Sequence, residues 1–167
     1  LGLMDRFDSF REAPLMLPGE MAAIMADPNR FPFIDKVLAF EEEQMVMTQS
    51  TLSVADHPFL SDHAIDGVPY HPGVMAMEMF AENALLLCPD SCLAGFEGVK
   101  FGLPVKVMKG TMRLRVEAKV ERTDDNLTFV KCRLVSDLSN SEGVVFGERE
   151  HHEAVVRLVK KSDDLSG

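Results

Sequence analysis

The chain has 167 residues, 46% of them hydrophobic and 26% charged, and a formal net charge of −10. That is enough length and apolar content for one domain with its own core. The acidic balance, with no Lys/Arg stripe, argues against nucleic acid as a partner, and no run reaches the roughly 18 apolar residues of a membrane span.

Residues 1–30 read as an N-terminal extension, in which "PGEMAAIMADP" (18–28) has the Pro-Gly start, good helix formers and proline stop of a short helix. "IDKVLAF" (34–40) and "QMVMTQSTLSV" (44–54) carry alternating, β-branched character and predict two strands joined by the acidic turn Glu41-Glu42-Glu43. A loop rich in Gly and Pro follows. Pro72-Gly73 then opens "VMAMEMFAENALLLC" (74–88), which has no interior Gly or Pro and stops at Pro89. Only Glu78, Glu82 and Asn83 interrupt its apolar surface, so this helix should be buried on most sides.

"GVKFGLPVKV" (98–107) predicts a shorter strand broken by Pro104. "TMRLRVEAKVERT" (111–123) alternates Met112, Leu114, Val116, Ala118 and Val120 with charged residues, giving period two and one wet face. Asp124-Asp125-Asn126 turns the chain into strands at 127–138 and 143–159, and 161–167 is a polar tail. One apolar helix among long antiparallel strands predicts an α+β domain over 31–160, its curved sheet wrapped around the helix.

The three cysteines are odd in number and lack metal spacing. Cys88 and Cys92 read as loop thiols and Cys132 as a core thiol in a reducing, cytoplasmic setting. The sequence opens on Leu1, and we expect a piece cut from a longer polypeptide or a processed chain with no secretory leader. His57, His63 and His71 are spaced across two proline breaks and match no familiar metal site. "EREHHE" (148–153) sits in a strand pattern, so His151 and His152 should point to opposite faces, one of them solvated.

The stretch "HPFLSDHAIDGVPYHPGV" (57–74) carries the chemistry. His63-x3-Gly67-x4-Pro72 resembles the HxxxGxxxxP motif of dehydratase domains from polyketide and fatty-acid synthases. "HPFLSDH" looks like their lead-in, and "FPFIDKVLAF" and "GVKFGLPV" are similar to strands of bacterial 3-hydroxyacyl-carrier-protein dehydratases. The resemblance implies the hotdog fold, with His63 as the base that removes the α-proton of a 3-hydroxyacyl thioester. It implies Glu78, on the central helix, as the acid. In double-hotdog synthase domains the carboxylate comes instead from a second hotdog.

The chemistry suits these residue types. Histidine titrates near neutral pH and can take a weakly acidic proton. A carboxyl donates to the leaving hydroxide only when its pKa is raised, and burial among Met75, Met77, Met79 and Phe80 would do that for Glu78. The helix start at Pro72, with the free N–H groups of Gly73 and Val74, would stabilise charge on the thioester oxygen. Gly67 either supplies a turn or admits substrate, Tyr70 either closes the pocket or packs, and His71 reads as a packing histidine.

Three functions compete: a dehydratase, a hotdog thioesterase using the helix carboxylate and a water, and a non-catalytic hotdog module of a synthase. The presence of both His63 and Glu78 favours the first over the third, and a thioesterase would not need His63 in this motif. The resemblance implies a substrate carried on the phosphopantetheine of an acyl carrier protein, with no cofactor or metal. It also implies a homodimer or a second hotdog in the parent chain, because the family's pocket lies between two hotdogs. Carrier proteins are usually acidic, so docking onto this acidic chain is easier to reconcile with a tethered carrier at high effective concentration.

Overall fold

The computed structural model describes residues 29–162. The expected helix at 18–28 and the last five residues of the tail lie outside the described residues. The elements run β1 (Lys36–Glu41), β2 (Met45–Ser53), α1 (Phe59–Asp62), β3 (Ala64–Ile65), β4 (Val68–Pro69), α2 (Gly73–Leu87), β5 (Ser91–Phe101), β6 (Thr111–Asp124), β7 (Leu127–Ser139) and β8 (Val145–Lys160).

Six strands form one antiparallel sheet in the order β1-β2-β6-β7-β8-β5. The two acidic turns fall where expected, and both use a left-handed residue: Glu43 (φ 56°) and Asp125 (φ 51°). Helix α2 packs against β2, β5, β6, β7 and β8. Met79, Phe80, Ala84 and Leu87 of the helix meet Leu114, Val116, Val130, Leu134 and Val156 of the sheet in one core. This is a hotdog: a curved sheet wrapped around one buried helix. No helix among the described residues is long and apolar enough to cross a membrane.

Three expectations need correction. The strand after the helix runs from Ser91 to Phe101, not 98–107. Its first half is masked in sequence by Gly95 and Gly98, which sit at positive φ where the β5–β8 register slips. Residues 102–107 leave the sheet ladder, and Val105 and Val107 pack into the core beneath it.

The charged face of β6 is not wet along its length. Arg115 and Glu117 are buried. Arg115 bonds Glu117 at 3.1 Å, Asp137 at 2.6 Å and Glu148, and Arg133 of β7 bonds Glu117 and, at 2.9 Å, Glu148. Mutual neutralisation and bidentate geometry let these charges leave water.

Finally, neither His151 nor His152 faces solvent; they are 3% and 6% exposed. His151 Nδ1 donates to the Leu103 carbonyl at 2.9 Å, and the Ser136 hydroxyl donates to its Nε2 at 2.7 Å. The loop that leaves β5 covers them, and sequence periodicity alone does not show that loop.

Candidate active site

The spacing of the His63-x3-Gly67-x4-Pro72 motif has a local explanation. Strands β3 and β4 form a hairpin with Ala64 opposite Pro69 and Ile65 opposite Val68. Its two-residue turn is Asp66-Gly67, both with positive φ (52° and 78°), the primed turn that matches strand twist. Gly67 supplies that conformation. A Cβ there would meet nothing within 4 Å, so the glycine is not needed for space.

The residues flanking the hairpin are His63 and Tyr70. The Tyr70 N–H donates to the His63 carbonyl at 3.0 Å, and His63 Nδ1 lies 3.2 Å from the Tyr70 carbonyl. A carbonyl only accepts, so Nδ1 carries the proton and Nε2 keeps its lone pair. His63 is exposed, and this bond leaves Nε2 as the nitrogen directed away from the hairpin.

Residues 69–71 are also clamped from the other side. The His71 N–H donates to the Val105 carbonyl at 3.0 Å, and the Val107 N–H to the Pro69 carbonyl at 2.9 Å. Tyr70, half-buried, carries the Lys106 ammonium 5.8 Å from its ring centre. His71 is 4% exposed beside Phe59, ring centres 6.3 Å apart, and neither ring nitrogen has a partner. Burial, and then four neighbouring histidines led by His152, lowers its pKa to about 4. It is a neutral packing histidine, as its sequence context suggested.

Pro72 follows as the N-cap of α2, in extended conformation (φ −63°, ψ 139°). Its carbonyl accepts from the Met75 N–H at 3.0 Å. The N–H groups of Gly73 and Val74 precede the helix ladder, and no side chain caps them. The motif thus joins a fixed imidazole to an uncapped helix N-terminus through nine residues of chain.

Glu78 lies five residues beyond Gly73, about 7.5 Å along the axis. Contrary to expectation, it is exposed. Consecutive helical residues turn by about 100°, so Met79 and Phe80 enter the core while Glu78 shares its face with Val74, which is 71% exposed. No hydrogen bond or ion pair joins His63 to Glu78 among the described residues.

The carboxyl that burial does perturb is Glu82, one turn further on and 4% exposed. Its Oε2 accepts the Phe33 N–H at 3.0 Å, and its Oε1 has no partner. Burial first, and then the charge of Glu78, raises its pKa to about 7, while the bond from Phe33 lowers it. Sequence reading noted Glu82 only as a polar position. The spacing Glu78-x3-Glu82 was the available signal, but which of the two faces the core depends on the sheet.

Several large apolar side chains are exposed on the chain. Ile65, Val74, Leu93, Val99, Phe101, Leu103 and Met108 are all exposed, and β5, a sheet edge, has no fully buried residue. Among the described residues no group of three or more His, Cys, Asp or Glu is arranged to hold a metal ion.

A helix cradled by a six-stranded sheet, with an HxxxGxxxxP hairpin at its N-terminus, is the layout of a hotdog-class dehydratase. Residues 32–133 match the polyketide synthase dehydratase domain. The chain is 32% identical over 116 residues to the 3-hydroxyacyl-[acyl-carrier-protein] dehydratase FabZ of Escherichia coli, covering 62% of this chain and 74% of that protein. It is 34% identical over 68 residues to the polyketide synthase GfsE of Streptomyces halstedii, covering 41% of this chain but only 2% of that protein. The fold also matches the dehydratase heterocomplex ApeI:P of Xenorhabdus doucetiae, with a TM-score of 0.59, 16% identity and coverage of 90% of this chain and 95% of that one. The chain belongs to the polyketide synthase dehydratase family, a family of hydro-lyases.

Proposed function

We propose that this chain removes water from 3-hydroxyacyl thioesters delivered on the phosphopantetheine arm of an acyl carrier protein. The observation that supports the reading is His63, bonded through Nδ1 to the Tyr70 carbonyl, on the hairpin that leads directly into the uncapped N-terminus of α2. His63 Nε2 takes the α-proton. The N–H groups of Gly73 and Val74 hold the thioester oxygen as negative charge develops on it. A carboxylic acid then protonates the hydroxyl, which leaves as water. The protein's part of this chemistry needs no cofactor or metal.

Glu78 is the proposed acid, and a second hotdog completes the site. Glu78 is exposed in the single chain, and covering the Val74–Glu78 face with another hotdog would take it out of water. The apolar surface around β5 and the unpaired edge of that strand support the same assembly, either a homodimer or a second unit in a parent chain. Tyr70, with Pro72, lines the entrance beside His63. The free thiols Cys88, Cys92 and Cys132 are consistent with a reducing, cytoplasmic setting.

The test is a mass-spectrometric assay on a 3-hydroxyacyl pantetheine thioester. Wild type should release one water. His63→Ala should lose activity by a factor of about 10² or more, and Glu78→Gln should fall comparably. Release of the free acid in place of water would replace this reading with a thioesterase. Binding without turnover would replace it with a non-catalytic module.

A further inference from the structure

Gly73 has a neighbour that its place in the motif does not announce. A Cβ built on Gly73 would lie 2.7 Å from Cε1 of Phe101, closer than real Cβ contacts come. The Phe101 ring therefore packs directly on the backbone of the first helical residue. It is 57% exposed, an unusual state for a large aromatic that touches a helix N-terminus.

The ring is held rather than loose. Phe101 ends β5 paired with His152, and the His152 ring meets it edge-on, centres 5.4 Å apart and planes at 84°. The next residue is fixed as well. The Gly102 N–H donates to the His151 carbonyl at 2.9 Å, and a Cβ on Gly102 would lie 2.6 Å from that oxygen. His151 then grips Leu103 through its own ring. Both histidines of "EREHHE" thus serve to position Phe101.

We infer that Phe101 is a specificity-determining wall that limits substitution at the α-carbon of the acyl chain. The inference rests on the dehydratase reading above. A thioester oxygen bound to the Gly73 N–H sits about 2.9 Å from that nitrogen, and the α-carbon is two bonds from the oxygen. The α-carbon and anything attached to it then lie beside Gly73, on the backbone that the Phe101 ring covers. A hydrogen there fits against the ring; a methyl group competes with it for space. Held by His152 behind and by the Gly102–Leu103 loop after it, the ring cannot yield cheaply. One methyl group in such a pocket changes discrimination by about 10–200-fold.

The experiment compares turnover of 3-hydroxybutyryl and 2-methyl-3-hydroxybutyryl pantetheine thioesters, each as a mixture of stereoisomers, by wild type, Phe101→Ala and Phe101→Leu. Wild type should favour the unsubstituted chain about tenfold or more in kcat/KM. Both variants should bring the ratio close to one. The ratio does not depend on how much protein is folded, so a purely structural role for Phe101 would leave it unmoved. Phe101→Leu keeps an apolar side chain in the contact should Phe101→Ala unfold. Equal turnover of the two substrates by wild type, or the same ratio in all three proteins, overturns the inference and leaves the dehydratase reading standing. No water loss from either substrate overturns both.

Discussion

At the residue scale, two carboxyls one turn apart on a single helix meet opposite environments. Glu78 faces outward beside Val74, and Glu82 is buried with one oxygen satisfied by Phe33. Burial has a measurable consequence for Glu82. Folded, it keeps its proton up to about pH 7; the unfolded reference value is 4.5. Its stabilising contribution is therefore complete below pH 4.5 and is lost as pH rises through 7, amounting to about 3 kcal/mol. Glu82→Gln keeps an acceptor for the Phe33 N–H and has nothing to ionise. Denaturant unfolding at pH 5 and pH 8 should show the variant gaining on wild type by up to that amount at the higher pH. A difference that stays constant with pH would mean that Glu82 is solvated in the folded chain.

At the scale of elements, the hairpin between His63 and Tyr70 sets the site. Its register places the Tyr70 carbonyl against His63 Nδ1, and its register depends on the turn. Gly67 sits at φ 78° in open space, so Gly67→Ala costs backbone strain and no steric clash, about 1 kcal/mol. Thermal melting should show that modest loss. Activity should fall more than stability does, because the strain moves the imidazole. Unchanged activity would detach the turn from the chemistry.

The same scale explains what the sequence revealed. The motif, a turn at Gly67, the proline start and helix α2 follow local rules and were legible, whereas α1 and the β3–β4 hairpin were read only as a loop. The first half of β5, the buried charges of β6 and β7, and the loop over His151 and His152 depend on contacts distant in sequence. For that reason Glu78 looked buried, Phe101 drew no notice, and "EREHHE" looked half solvated.

At the scale of the whole molecule, the proposed function makes the described chain one half of a working arrangement. His63, the N-terminus of α2 and Glu78 are exposed or half-exposed, and β5 is an open sheet edge with exposed apolar residues. Two units joined there would cover Glu78 and give each site a wall from its neighbour. The net charge of −10 makes copies of the chain repel one another, and burying this apolar patch would offset that repulsion.

The central claim is that base and acid meet across two hotdog units, and mixing tests it most directly. His63→Ala and Glu78→Gln proteins, each inactive alone, are combined under conditions that exchange subunits, and water loss is followed. If each site takes His63 from one unit and Glu78 from the other, every mixed dimer has one intact site, and activity returns to about a quarter of wild type. If the mixture stays inactive while mixed dimers are seen by mass, His63 and Glu78 do not form a site between two copies of this chain, and the account of a shared site is wrong.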